Sequence, residues 1–165
     1  MIVALTPLTR PLVIAALGAC VVAGVGAAMT DLSPWYFALA QPSWKPPDWL
    51  FGPAWTIIFA LCAVAAARGW IAFKEPSKRS RLLLLFGLNA ILNIAWTTLF
   101  FRLQRPDWAL IQVGVLWLSV LALIVALAPR APVASWMLAP YLVWVSFAGL
   151  LNFEVVRLNP SFAAS

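Results

Sequence analysis

DLSPWYFALAQPSWKPPDWLFGPAW, residues 31–55, separates two long apolar runs. Four tryptophans (Trp35, Trp44, Trp49 and Trp55) share it with Pro34, Pro42, Pro46, Pro47 and Pro53. Proline fixes φ and removes a backbone donor, so no continuous helix runs through residues 41–48. The segment is a stiff aromatic connector. Trp and Tyr favour the lipid–water boundary, which accommodates both an apolar ring and one polar N–H or O–H. Two roles suit such a connector: an interfacial anchor, or a lid that clamps a flat ligand over a helix bundle.

Outward from this loop the chain is apolar in blocks. Of 165 residues, 64% are hydrophobic and 10% charged, more apolar surface than a water-soluble core of this size can hide. Uncharged windows fall at 11–30, 49–67, 82–101, 108–129 and 131–153. Each is about 20 residues, the length of helix that crosses a hydrocarbon layer. The predicted fold is an all-α integral membrane protein, a single membrane domain over 1–165. Its five transmembrane helices are placed at about 8–29, 49–72, 80–102, 107–128 and 133–157, with the Trp/Pro-rich lid at 30–48. The first helix, with Arg10 before it and small residues at Gly24–Ala28, also has the pattern of a signal peptide.

The net charge of +6 sits in the connectors rather than in a nucleic-acid-binding patch. Arg10, Arg68, Lys74, Lys78, Arg79, Arg81 and Arg130 fall at one end of the bundle, and Lys45, Arg102, Arg105 and Arg157 at the other. The excess of cytoplasmic Lys and Arg in membrane proteins then predicts a cytoplasmic N-terminus and second loop, with the Trp-rich loop outside. Cys20 and Cys62 lie mid-span and read as small packing residues. The chain has no histidine, which removes the commonest metal ligand and acid–base group, so neither a metal nor a cofactor is expected. Asp31, Asp48, Asp107 and Glu154 all fall at helix ends. A proton-driven multidrug exporter needs an ionisable group inside the bundle, which counts against that reading.

Helical spacing assigns faces. Ala15, Ala19, Ala23 and Ala27 recur every four residues on the first helix, beside Ala16, Cys20, Gly24 and Ala28. Small residues at this spacing suit close helix packing, a homodimer seam, or room for a bulky ligand. Trp55, Phe59 and Cys62 share a side of the second helix. Asn89, Asn93, Trp96 and Phe100 share a face of the third, where two amides serve as interhelical glue or line a cavity. Pro140 is expected to kink the fifth helix, beyond which Tyr141, Trp144, Ala148 and Asn152 align. Glu154 and Arg157 can pair at its far end.

Together these faces predict a ligand pocket. Trp35, Trp44 and Trp55 come from the loop and the helix after it, and Trp96, Tyr141, Trp144 and Ala148 from the third and fifth helices. Asn93 and Asn152 offer donors to a ligand carbonyl or carboxylate. Trp70 and Trp117 lie outside the proposed face. A pocket of this make-up suits a flat, largely apolar molecule of porphyrin or sterol type.

Three ordered blocks carry a resemblance that spans nearly the whole chain. Trp35-Tyr36, Leu39, Pro42-Ser43-Trp44, Pro46-Pro47 and Trp49 form the first. LNAILNIAWTTLFF at 88–101 and PYLVWVSFAGLLNFEVVRLN at 140–159 form the others, and Pro53-Ala54-Trp55 stands between. The chain resembles the translocator protein family, also called tryptophan-rich sensory proteins or peripheral-type benzodiazepine receptors. The resemblance implies that the first helix stays in the bundle, that the chain forms a homodimer, and that the protein is a bacterial-type receptor or carrier for porphyrins. Relatives bind protoporphyrin IX and benzodiazepine- or isoquinoline-type ligands. Trp55, Asn93, Trp96, Trp144 and Ala148 match the family's pocket, and Asp31 an acidic position at the head of its first loop. An alternative is light- and oxygen-dependent degradation of protoporphyrin, with Trp55 or Trp144 as electron donor. The cholesterol motif of animal members needs a Tyr where this chain has Phe153 and Glu154, which puts cholesterol in doubt.

Overall fold

In a computed structural model, which describes residues 8–162, the chain is all helical, with no strand among the described residues. The expected single domain over 1–165 includes residues 1–7 and 163–165, which lie outside the described residues. The helices are α1 (Thr9–Met29), α2 (Pro34–Ala38), α3 (Phe51–Ala72), α4 (Pro76–Thr97), α5 (Pro106–Leu127), α6 (Pro132–Met137) and α7 (Ala139–Leu158). Five stretches are long and apolar enough to cross a membrane: Thr9–Met29, Asp48–Ala72, Pro76–Arg102, Pro106–Leu127 and Pro132–Leu158. Their lengths run from 21 to 27 residues, or about 30–40 Å at 1.5 Å per residue. The protein is a five-helix, multi-pass membrane bundle.

Proline punctuates it. Pro34, Pro76, Pro106, Pro132 and Pro140 each stand in the first two positions of a helix, where the missing N–H would have no intrahelical partner anyway. The same rule accounts for three departures from the sequence expectations. The third span starts at Pro76, not at 80, so Lys78, Arg79 and Arg81 belong to its first turns rather than to a loop. Pro140 breaks the fifth span instead of kinking it: α6 ends at Met137 and α7 restarts at Ala139. Inside the lid, Pro34 opens the short helix α2. One further irregularity closes α4, where Thr98–Arg102 widens into a π turn and the Leu103 N–H bonds the Thr98 carbonyl at 2.9 Å.

The helices form a closed circuit. α1 packs on α3 and α4, α3 on α6, α6 and α7 on α5, and α5 back on α4. The core is densest around α5, which buries Val113, Leu116, Val120, Leu123 and Leu127, while α1 buries no residue fully. Near the basic end, α3 approaches its neighbours over Gly69. A Cβ there would stand 2.6 Å from Leu127 Cδ2 and 2.9 Å from Leu82 Cδ2. Both leucines are buried in one cluster, so Gly69→Val is expected to destabilise the bundle by about 1–3 kcal/mol through overpacking. Thermal melting in detergent checks this, and an unchanged midpoint contradicts it.

Arg79 closes the α3–α4 connection. Its Nε–H donates to the Trp70 and Phe73 carbonyls, which α3 leaves free at its C-terminus, while its guanidinium lies 4.7 Å from the Trp70 ring centre. Glu154 and Arg157 form the expected ion pair at 2.6 Å. Both cysteines are free, Cys20 exposed and Cys62 half-buried.

Candidate functional site

A cavity of about 890 Å³ lies between α1, α3 and α4. Its walls are mostly small or apolar: Ala15, Gly18, Ala19 and Val22 from α1; Phe59, Cys62, Ala63, Ala66 and Ala67 from α3; Phe86, Gly87 and Ala90 from α4. The α1 alanine stripe and the small face of the second span are thus the surfaces that leave room. The cavity runs from mid-depth toward the basic end of the bundle, where Arg10 and Trp70 line it. Trp70, placed outside the pocket on sequence grounds, is part of the wall.

The inner end is polar. Asn89 donates to Ser119 Oγ on α5 at 2.8 Å, Tyr141 donates to Asn89 Oδ1 at 3.2 Å, and Asn93 donates to the Tyr141 hydroxyl at 3.1 Å. Asn89, Asn93 and Tyr141 also line the cavity. The two α4 amides are therefore both interhelical glue and cavity lining, because Tyr141 satisfies them from α7 while leaving one side toward the open volume. Such bonding offsets the cost of amides in hydrocarbon.

Of the nine residues proposed from sequence to bind ligand, Asn93 and Tyr141 meet this cavity. The tryptophans form an aromatic layer between cavity and lid. Trp55 contacts Tyr141 at 6.0 Å and Trp144 at 6.4 Å between ring centres. Trp144 meets Phe147 at 5.5 Å, and Phe147 meets Trp44 of the lid at 5.9 Å. Trp96 stacks on Phe100 at 5.7 Å, and Trp35 stands edge-on to Phe100 at 6.3 Å. Ala148 is buried. Asn152 is spent on structure: with its amide oriented to satisfy both groups, it donates to the Pro106 carbonyl and accepts from the Leu110 N–H, each at 3.0 Å. Among the described residues, the buried Trp96 and Trp144 indole N–H groups have no hydrogen-bond partner.

The lid is locked at two points that the sequence patterns did not reveal. Tyr36 donates to Asp48 Oδ1 at 2.7 Å, and Lys45 pairs with the same oxygen while lying 5.1 Å from the Tyr36 ring centre. Burial first, then the bond to Asp48, pushes the Tyr36 phenol above its ordinary pKa, so it remains a donor. At the other point Asn159 acts as a backbone mimic. It accepts from the Ala40 N–H at 3.1 Å and donates to the Ala40 carbonyl at 2.9 Å. The Asn amide carries the acceptor and the donor that this pair needs on adjacent atoms. Asn159→Ala is expected to free the 39–46 segment and speed its cleavage by protease at least about tenfold, with the helices still intact. Unchanged cleavage contradicts a lock at this residue.

The chain matches the TspO/MBR family over residues 12–158. The chain belongs to the TspO/MBR family. It is 37% identical over 151 residues to the tryptophan-rich protein TspO of Chlorobaculum tepidum, covering 87% of this chain and 93% of that one. It is 37% identical over 142 residues to protein CrtK of Rhodobacter capsulatus, covering 86% and 89%. To the human translocator protein it is 32% identical over 126 residues, covering 76% and 75%. In this TspO/MBR chain the volume open to a ligand is bounded by alanines and by one tyrosine–asparagine junction. Trp55, Trp96 and Trp144 fill space beside it.

Proposed function

We propose that the protein is a membrane receptor or carrier that takes a porphyrin of the protoporphyrin IX class, or a similar flat apolar molecule, into the cavity between α1, α3 and α4. The observation that carries this reading is the cavity itself, about 890 Å³ with aromatic, alanine and glycine walls and a polar inner end. That volume lies within the range of drug- and cofactor-sized sites, which combine apolar walls with a few placed polar groups. Phe59, Phe86 and Trp70 supply faces for a planar ring, and Asn89, Asn93 and Tyr141 supply donors and acceptors for its polar edge. Arg10 offers a charge to a carboxylate at the opposite end.

Membership of the family supports the ligand class and a homodimer. The excess of basic residues at one end supports an orientation with Arg10 and the α3–α4 connection in the cytoplasm. Titrating protoporphyrin IX into purified protein in detergent tests the reading through Trp emission. Saturable quenching at one porphyrin per chain is expected, and non-saturable quenching that follows the detergent concentration overturns it.

A second reading, porphyrin breakdown under light and oxygen, is favoured by one specific arrangement. Tyr141 lines the cavity and touches Trp55, which touches Trp144, so oxidisable rings lead from the ligand volume to the lid side. Illumination of the porphyrin complex is then expected to consume the pigment faster than detergent alone does. Trp55→Phe is expected to keep binding and lose that excess. Equal rates with and without protein overturn the second reading and leave the first intact.

A further inference from the structure

The bundle is electrically lopsided. Four basic residues at the lid end (Lys45, Arg102, Arg105, Arg157) face four acidic ones (Asp31, Asp48, Asp107, Glu154), whereas seven basic residues at the other end face Glu75 alone. The whole formal charge of +6 therefore belongs to the end that holds the α3–α4 and α5–α6 connections.

At that end a second recess, of about 420 Å³, opens between the last turn of α3 and the start of α6. Arg68 and Arg130 line it, and Ile71, Ala72, Pro132 and Val133 form apolar walls. Arg68 is exposed and forms no ion pair with any described residue. Arg130 reaches Glu75 only at 3.9 Å, and that carboxylate already holds Lys78 at 2.7 Å. Two guanidinium groups thus share one recess with less than one carboxylate between them. Val133 is 54% exposed at its rim, and beyond it Trp136 is 77% exposed, so the apolar wall continues into an interfacial surface.

We propose that the Arg68–Arg130 recess is a binding site for the phosphate headgroup of an anionic phospholipid. Guanidinium groups match the planar, paired acceptor geometry of a phosphate. Basic recesses beside transmembrane helix ends suit anionic headgroups, with acyl chains lying along the apolar wall. A lipid fits both features, since a free anion would use the arginines and leave Ile71, Pro132 and Val133 in contact with nothing. The site is separate from the ligand cavity and does not depend on what that cavity binds.

The test uses the full chain, purified in a neutral detergent and supplied with phosphatidylglycerol or with phosphatidylcholine carrying identical chains. Phosphatidylglycerol is expected to raise the melting midpoint by several degrees in a saturable way, and phosphatidylcholine is not. Arg68→Gln/Arg130→Gln is expected to shift the half-saturating phosphatidylglycerol concentration up by at least about tenfold. Arg68→Gln alone, a substitution at a side chain bonded to nothing described, is expected to shift it several-fold. Arg81→Gln, which removes the same charge from an exposed site on α4, is expected to leave it within about twofold. Glycerol phosphate at the same concentrations is expected to give no rise. Equal shifts from Arg68→Gln and Arg81→Gln would mean a diffuse basic surface, and an equal rise from glycerol phosphate would mean a free-anion site; either result overturns the proposal.

Discussion

Ala66→Trp is expected to weaken protoporphyrin binding at least about a hundredfold, a loss of about 2.8 kcal/mol. Ala66 lies on the α3 wall of the cavity among Phe59, Cys62, Ala63 and Ala67, and an indole grown from its Cβ occupies volume the ligand needs. The fold has room for that side chain because the space is already open, so the melting midpoint is expected to move little. Ala122→Trp, at an exposed position on α5 away from the cavity walls, is the matched control and is expected to leave affinity within about threefold. Equilibrium titration by porphyrin absorbance reads both variants. Equal affinity in wild type and Ala66→Trp would place the ligand elsewhere.

Tyr141→Ala is expected to cost about 3–5 kcal/mol of stability, the usual range for truncating a large buried ring. Tyr141 is 2% exposed, packs with Ile58, Val113, Leu116, Val120 and Val145, and touches Trp55 edge-on. Its hydroxyl also joins Asn89 to Asn93, so truncation leaves both buried amides short of a partner. Tyr141→Phe keeps the ring and removes only the junction, and about 1–3 kcal/mol is expected there. Denaturation in mixed micelles separates the two. Equal losses from both variants would mean that the hydroxyl, rather than the packing, carries the residue's contribution.

The helices were legible in the sequence because each lipid-crossing window is about 20 residues long and nearly free of charge. Proline marked most of their starts, yet its effect was read too weakly: Pro76 draws Lys78, Arg79 and Arg81 into α4, and Pro140 ends one helix instead of bending it. The shared face of Asn89 and Asn93 was visible from spacing. Which partner they choose was not, since Ser119 lies 30 residues away from Asn89 and Tyr141 lies 48 from Asn93. Asn159 is more distant still, 119 residues from Ala40, and nothing local announces that its amide pairs with lid backbone.

The cavity's position was the hardest to read. Tryptophans draw attention as ligand platforms, but large rings fill space when they converge, and Trp55, Trp96 and Trp144 pack against the Val113–Leu116–Tyr141 cluster. An opening requires small side chains on facing helices. Ala15, Gly18 and Ala19 face Ala63, Ala66 and Ala67 in that way. The alanine spacing of the first helix was the available signal, and room for a bulky ligand was one of the meanings it carried.

These two surfaces, alanine walls and tryptophan layer, lie at different depths, so the position of the bound ligand is the central matter. Illuminating the protein–porphyrin complex oxidises aromatic and thiol side chains close to the pigment, and peptide mapping by mass spectrometry then locates them. Oxidation centred on Tyr141, Trp70 and Cys62 is the result predicted by a ligand held between α1, α3 and α4. Oxidation confined to Trp35, Trp44 and Trp49, with Tyr141 and Trp70 untouched, would contradict it.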